Sequence, residues 1–381
     1  MAPILEVDDL RVDFETYDGR QQVLNGVNLV VNEGETVAIV GESGCGKSVT
    51  AKTIIGTLPQ PPGEIVSGEV RYRGRDLLSD ADEAARVKHE EMAMIFQDPM
   101  THLSPVFKVG DMMADIINHR GKEGISWFSI VKNALRPSHE TDEELRERCA
   151  EMLGKLQIPD PEGILDRYPV ELSGGMRQRV LIGMALITDP DFLIADEPTT
   201  ALDVTVQDQI LEILSERIRD QDLSVLYITH NLGVARKLAD RIYVMYAGEV
   251  AEVGTTEEIF EAPLHPYTRG LMESIPKLTE FDGEGIEGLI PDYTNPPSGC
   301  RFHPRCPAAI DGVCDREVPP MVSVSDTEAV SCHLYEDGMD LDAARSIADA
   351  EIDYHEYDIE DRLELEDPSL MAEDRPDSGG T

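Results

Sequence analysis

From residue 4 to residue 40 apolar and polar positions alternate, as in LRVDF and VLNGVNLVV, with Asp18-Gly19 and Glu33-Gly34 as turn pairs. A period of two sends successive side chains to opposite faces of a strand, so this stretch predicts an antiparallel β-layer. A second pattern follows. ETVAIV, DFLIADEP and LSVLYITHN are nearly continuous apolar runs, the last two ending abruptly in polar residues. Strands buried on both faces of a parallel sheet read this way, and ligands of such sheets gather beyond the strand C-terminal ends. VRYRG and MAMIFQD read as further strands, whereas VGDMMADIINH and ELRERCAEMLGKLQI take helical spacing. The expected fold class is α/β: a parallel sheet core, an antiparallel β-layer and a helical subdomain inserted at about residues 98–185.

The eight residues GESGCGKS, Gly41 to Ser48, stand between the ETVAIV strand and the helix-prone SVTAKTIIGTL. Gly41, Gly44 and Gly46 let the backbone turn tightly enough for successive N–H groups to point at phosphate oxygens, where a side chain would block the approach. Lys47 places a compact positive charge on the β/γ-phosphates, and Ser48 offers its hydroxyl to Mg²⁺. The helix that follows adds the positive end of its dipole. ATP or GTP is therefore the expected ligand, with Ser43, Cys45 and Val49 completing the cradle.

Charge changes the picture of the surface. The 381 residues include 33 Lys+Arg and 75 Asp+Glu, a formal net charge of −42. Glu336 to Thr381 holds 17 acidic and 3 basic residues, so about two-thirds of the net charge belongs to the body rather than to the tail. Such a body repels itself in dilute buffer, where screening reaches ~30 Å, and hardly in ~1 M salt, where it reaches ~3 Å. A salt-rich cytoplasm is the expected setting, and nucleic acid, which needs basic surface, is not an expected partner. The length allows one large domain and a smaller one. No apolar run approaches the ~20 residues that span a bilayer, so a cytosolic chain is expected. The expected division is 1–262, a nucleotide-binding domain; 263–335, a small Pro-, Gly- and Cys-rich domain; and 336–381, an acidic, mostly disordered tail.

Three more segments carry chemistry. FLIADE delivers Asp196 and Glu197 side by side at the polar end of a buried strand, where one carboxylate can hold Mg²⁺ and the other can orient or deprotonate an attacking water. His230, ending the next buried strand, can reach the same edge and bond the γ-phosphate. Gln97, ending MAMIFQ, can touch both Mg²⁺ and water. Finally, Ser173, Gly174 and Gly175 open a helix, a second anion-binding N-terminus on a chain whose own ATP already has a cradle. A second site makes sense if two such domains face head to tail, each closing on the γ-phosphate held by the other.

The phosphate loop, Gln97, LSGGM, FLIADE, TALD with Asp203, and His230 follow one another in the order found in ABC-transporter ATPase subunits, which the chain resembles over about residues 4 to 275. FQDPMTHLSPV, HPYTRGLMESIPKL and NPPSGCRFHPRCP narrow the resemblance to the ATPases of oligopeptide/dipeptide (peptide/nickel) importers. The resemblance implies an ABC-type ATPase working peripherally at the cytoplasmic face of the cell membrane. Its implied partners are two transmembrane permease subunits, a second homologous ATPase and an extracellular substrate-binding protein. It also implies that Tyr17 stacks on adenine, that Ser173 and Gly175 serve the partner's ATP, and that Asp203 belongs to the nucleotide site. Met176 departs from the usual Gln of the signature but leaves the backbone donors intact. Residues Gly121 to Pro137, with Trp127, lengthen the helical subdomain beyond the family pattern. Peptides are the cargo implied, with nickel or oligosaccharides as alternatives. A soluble ABC ATPase of DNA repair or translation is the alternative of another class.

Cys300, Cys306, Cys314 and Cys332 crowd into the small domain. In a reducing cytosol four clustered thiols suit a metal better than disulfides, either tetrahedral Zn²⁺, where His303 or His333 can replace a thiolate, or a 4Fe-4S cluster. Spacing does not choose between them. The resemblance to peptide-type ATPases, some of which carry a 4Fe-4S cluster, implies iron–sulfur.

Overall fold

A computed structural model describes residues 2–98, 102–119, 142–199, 204–221, 223–274, 286 and 288–336. The alternating N-terminal segment forms β1 (Pro3–Thr16) and β2 (Gly19–Asn32), paired antiparallel across the Tyr17-Asp18 turn. The apolar set of this hairpin, including Leu5, Val7, Leu10, Val12, Leu24, Val27 and Leu29, turns inward and is almost wholly buried. Its polar set faces out, as a half-buried sheet requires.

The run TVAIV becomes β3 (Thr36–Val40), buried at every position, and the phosphate loop carries the chain into α1 (Lys47–Ile55). Next, β4 (Gly63–Tyr72) and β5 (Arg75–Asp76) complete a four-stranded antiparallel sheet in the order β2-β1-β4-β5. α2 (Ala81–Glu90) then leads to β6 (Met92–Ile95). Helices α3 (Val109–His119), α4 (Asp142–Lys155), α5 (Pro161–Leu165) and α6 (Gly174–Leu186) follow. They bury Val109, Met113, Leu153, Ile164 and Val180 in one core that continues under the sheet. The lengthening around Trp127 lies outside the described residues.

The chain returns to the sheet as β7 (Phe192–Asp196), α7 (Val204–Gln221), β8 (Ser224–Ile228), α8 (Leu232–Leu238) and β9 (Arg241–Tyr246). β7 and β8 are buried at all five positions, which explains their unbroken apolar sequence. Parallel pairing runs β6-β7-β8-β3-β9. β10 (Glu249–Thr255) then turns back antiparallel on β9 and is followed by α9 (Thr256–Glu261) and α10 (Pro266–Glu273).

The C-terminal region adds β11 (Met321–Ser323) and β12 (Ala329–Ser331) to the same sheet, giving the order β11-β12-β10-β9-β3-β8-β7-β6. Three-residue strands are too short to establish a period, so the sequence carries no strand signal here. A buried carboxylate on β10 holds the stretch that leads into α10, and the C-terminal region bonds to that stretch in turn. Glu252 on β10 accepts the N–H groups of Leu264 and His265 at 2.8 Å each. Tyr335 donates its hydroxyl to Leu264 O at 3.0 Å.

Candidate active site

The C-terminal ends of β3, β7 and β8 lie side by side, and each delivers the residues that follow it to one edge. At Gly41 the loop leaves β3 with φ +151, and a Cβ there would stand 2.2 Å from Met245 O, so only glycine fits. Gly46 caps α1 in the left-handed region at φ 104. Lys47 is 5% exposed and donates to Gly41 O and Glu42 O at 2.8 Å each, curled back over its own loop. Ser43 and Gly44 are exposed, Val49 is half-buried, and Cys45 is buried beneath the loop.

Ser48, in the first turn of α1, donates its hydroxyl to Asp196 Oδ1 at 2.9 Å. Asp196 is 2% exposed, and burial pushes its carboxyl above the ordinary range against the opposing Ser48 bond. A cation at this pair would restore the ionised form, which is the chemistry expected of a divalent-metal ligand beside phosphate. One residue on, Glu197 sits at φ +46, a left-handed conformation costly for a side chain of this size. That twist directs both carboxylate oxygens outward to different partners. Gln97 Nε2 donates to Oε2 at 2.9 Å, and His230 Nδ1 lies 2.9 Å from Oε1. Residues up to 100 positions from Glu197 thus converge on its carboxylate.

Ser173 caps α6, accepting the Met176 N–H at 3.3 Å, and Ser173 and Gly174 are exposed at that N-terminus with Gly175 half-buried. Gln178, which sequence reasoning passed over, is wholly buried one turn further on and donates to Pro198 O at 2.7 Å. It ties the helix that begins at Ser173 to the backbone following Glu197. A glutamine inside an otherwise apolar helix face was the available signal. Tyr17 is fully exposed at the β1–β2 turn, whereas Phe14 packs against the core, which leaves Tyr17 as the free ring. Asp203 lies outside the described residues.

The four clustered cysteines come together in space. Cys306 feels the charge of Cys332, Cys300 and Cys314, Cys332 that of Cys300 and Cys314, and Cys300 that of Cys314. Burial, and then these mutual charges, raise three of the thiols: Cys306 well above its ordinary value, Cys300 to about 11 and Cys332 to about 12. Among the described residues, however, no group of three or more His, Cys, Asp or Glu side chains is arranged to hold a metal ion. Neither the iron–sulfur nor the zinc expectation gains support from that arrangement.

Residues 24–200 match the family model of the ABC transporter, and residues 251–314 match that of the oligopeptide/dipeptide transporter C-terminal region. The chain is 45% identical over 337 residues to the dipeptide transport ATP-binding protein DppD of Bacillus subtilis (strain 168), covering 88% of this chain and 95% of that protein. Against the oligopeptide transport ATP-binding protein OppD of the same organism it is 46% identical over 336 residues, covering 87% and 88%. Among solved structures, a dimeric bacterial ABC transporter cassette aligns with TM-score 0.55 at 26% identity, over 66% of this chain and 98% of that one. The post-hydrolysis state of such a cassette dimer, bound to ADP and Pi, aligns at 0.56 and 27% over the same shares. No helix among the described residues is long and apolar enough to cross a membrane. The chain belongs to the ATP-binding proteins of ABC transporters that carry the oligopeptide/dipeptide C-terminal region, and it is an ATPase.

Proposed function

We propose that this ATPase energises the import of di- or oligopeptides, seated on the cytoplasmic face of the membrane beneath two permease subunits. A second homologous ATPase pairs with it head to tail, and an extracellular binding protein delivers the cargo. One observation carries the reading: the strand ends that bring the phosphate loop, Asp196 and Glu197 together belong to the same sheet as a C-terminal region whose relatives are named for dipeptide and oligopeptide transport. The division of the chain at about residue 262 into nucleotide-binding and C-terminal domains belongs to the same proposal.

In this reading the loop N–H groups and Lys47 receive the phosphates, Tyr17 stacks on adenine, and Ser48, Asp196 and Gln97 hold Mg²⁺, which offsets phosphate charge. Glu197, its oxygens fixed by Gln97 and His230, orients the attacking water. Ser173 and the first amides of α6 close on the ATP of the partner ATPase. ATP closes the dimer and hydrolysis reopens it. Isolation of the chain from its own membranes in molar KCl and mild detergent, with mass spectrometry of its companions, tests the proposal. Two permeases, a second ATPase and a binding protein are expected. Recovery only from the soluble fraction with repair or ribosomal proteins would overturn the transport reading.

The charge coupling of Cys300, Cys306 and Cys332 to their neighbouring cysteines favours a bound cationic centre, because closely spaced thiols gain most from a cation that takes them as thiolates. A 4Fe-4S cluster is the centre we favour, and an anaerobic preparation without iron or absorption near ~400 nm rejects it. The net charge of −42 favours a protein built for high salt. Structure retained in full below ~0.5 M KCl rejects that.

A further inference from the structure

The phosphate loop carries a carboxylate of its own. Glu42 stands second in a loop whose other charged residue is Lys47, so an acid lies beside the place where several phosphate charges are to be received. Like charges at that range oppose binding unless the acid is neutralised or turned away.

Arg305 does both. It lies 263 residues along the chain, at the end of a short helical turn, His303–Arg305, between Cys300 and Cys306. Its Nη1 donates to Glu42 Oε2 at 2.8 Å and its Nη2 to Oε1 at 3.0 Å, a two-pronged pair that fixes the plane of the carboxylate. The guanidinium lies over the Tyr246 ring, 5.6 Å from its centre, and donates also to Tyr246 Oη at 3.3 Å and Ile286 O at 3.0 Å. Its side chain is 5% exposed against 28% for Glu42, so the fork is anchored and the acid is the partner drawn in. The backbone of the loop is held independently. Glu42 N–H donates to Tyr267 Oη at 2.9 Å, Tyr293 Oη donates to Gly44 O at 2.8 Å, and Gly248 N–H donates to Cys45 O at 2.9 Å. The ion pair is therefore not what keeps the loop in shape, and its particular effect is on charge.

We propose that Arg305 is a positioning residue of the nucleotide site: it neutralises Glu42 and holds that carboxylate off the phosphate cradle, so the C-terminal region sets the affinity of the loop for polyphosphate. The proposal rests on the loop's reading as the ATP cradle. A lysine would supply charge without the fork and serve only partly.

The test uses the full chain, titrated with MgATP at low and high KCl, and follows both binding and steady-state turnover. Arg305→Gln is expected to weaken MgATP binding by about tenfold or more, as a rise in KM with a smaller fall in kcat, and the deficit should shrink as KCl rises. Glu42→Gln should bind a few-fold more tightly than the native chain. The double variant E42Q/R305Q should recover to within about threefold of native affinity, because the charge that needed Arg305 is gone. Native-like binding by Arg305→Gln, or a double variant as weak as Arg305→Gln alone, would overturn the proposal. If Arg305→Gln does not fold, Glu42→Gln decides, and weaker binding there overturns it. A native chain that fails to bind MgATP would instead overturn the reading of the loop.

Discussion

At the ATP half-site the polar groups complete one another: Lys47 caps carbonyls, Ser48 bonds Asp196, and Gln97 and His230 share Glu197. In the cysteine region the groups oppose one another: Cys300, Cys306 and Cys332 are raised by burial and further by their neighbours' charge. The half-site is built on the ends of buried parallel strands whose positions are over-determined by the sheet. The cysteine region is built from turns and three-residue strands, and its place is set by attachments to the larger body: Tyr335 on Leu264 O, Arg301 on Ala247 O at 2.5 Å, and Arg305 on Glu42. A site on strand ends can stand prepared before its ligand arrives, while a region of this kind depends on its anchors.

The largest expected effect breaks the half-site without disturbing its shape. Glu197→Gln keeps the bonding outline but removes the charge proposed to activate water. Turnover should fall by ~10² to 10⁴ while MgATP binding persists. Retained hydrolysis in a single-turnover assay would remove Glu197 from its role.

On the other side of the comparison, Glu252 provides a pH test of the anchor. Burial raises its carboxyl to about 7, and the dominant cause is desolvation. A carboxyl raised on folding contributes stability that is present below about 4.5 and lost as pH rises through about 7, an effect on the order of 3 kcal/mol. His265, lowered by burial to about 3, works the other way: its contribution is present above its ordinary 6.5 and lost as pH falls. From this pair the two slopes nearly cancel between about pH 4.5 and 6.5. Glu252→Gln should unmask the histidine slope, and its stability relative to the native chain should rise from pH 5 to pH 7.5 in denaturant titrations. A difference that stays constant with pH would refute the assignment.

The smallest effect sharpens the half-site. Gln178→Leu removes the bond to Pro198 O and should cost about 1–3 kcal/mol in unfolding free energy. If Gln178 also couples α6 to the backbone after Glu197, turnover should fall more than MgATP affinity. Equal falls would leave it a packing residue.

Much of this was legible along the chain, for reasons that differ from place to place. The alternation of β1 and β2, the unbroken apolar runs of β3, β7 and β8, and the glycines before Lys47 each express a local constraint, so each can be read without its neighbours in space. The pairing of β12 with β10 could not be read that way, nor could the fork between Arg305 and Glu42. Gln178 was overlooked because helical spacing weighs apolar positions, and a single buried amide between them leaves no periodic mark.

Residue order alone therefore established the fold class, the phosphate loop and the paired carboxylates, because strand burial and loop geometry act within a few residues. Tertiary structure decided which partners each functional group meets: Gln97 and His230 on Glu197, and an arginine of the C-terminal region on the phosphate loop. Hydrogen bonds and ion pairs depend on distances of about 3 Å. Between residues 263 positions apart such a distance exists only once the sheet has closed around them.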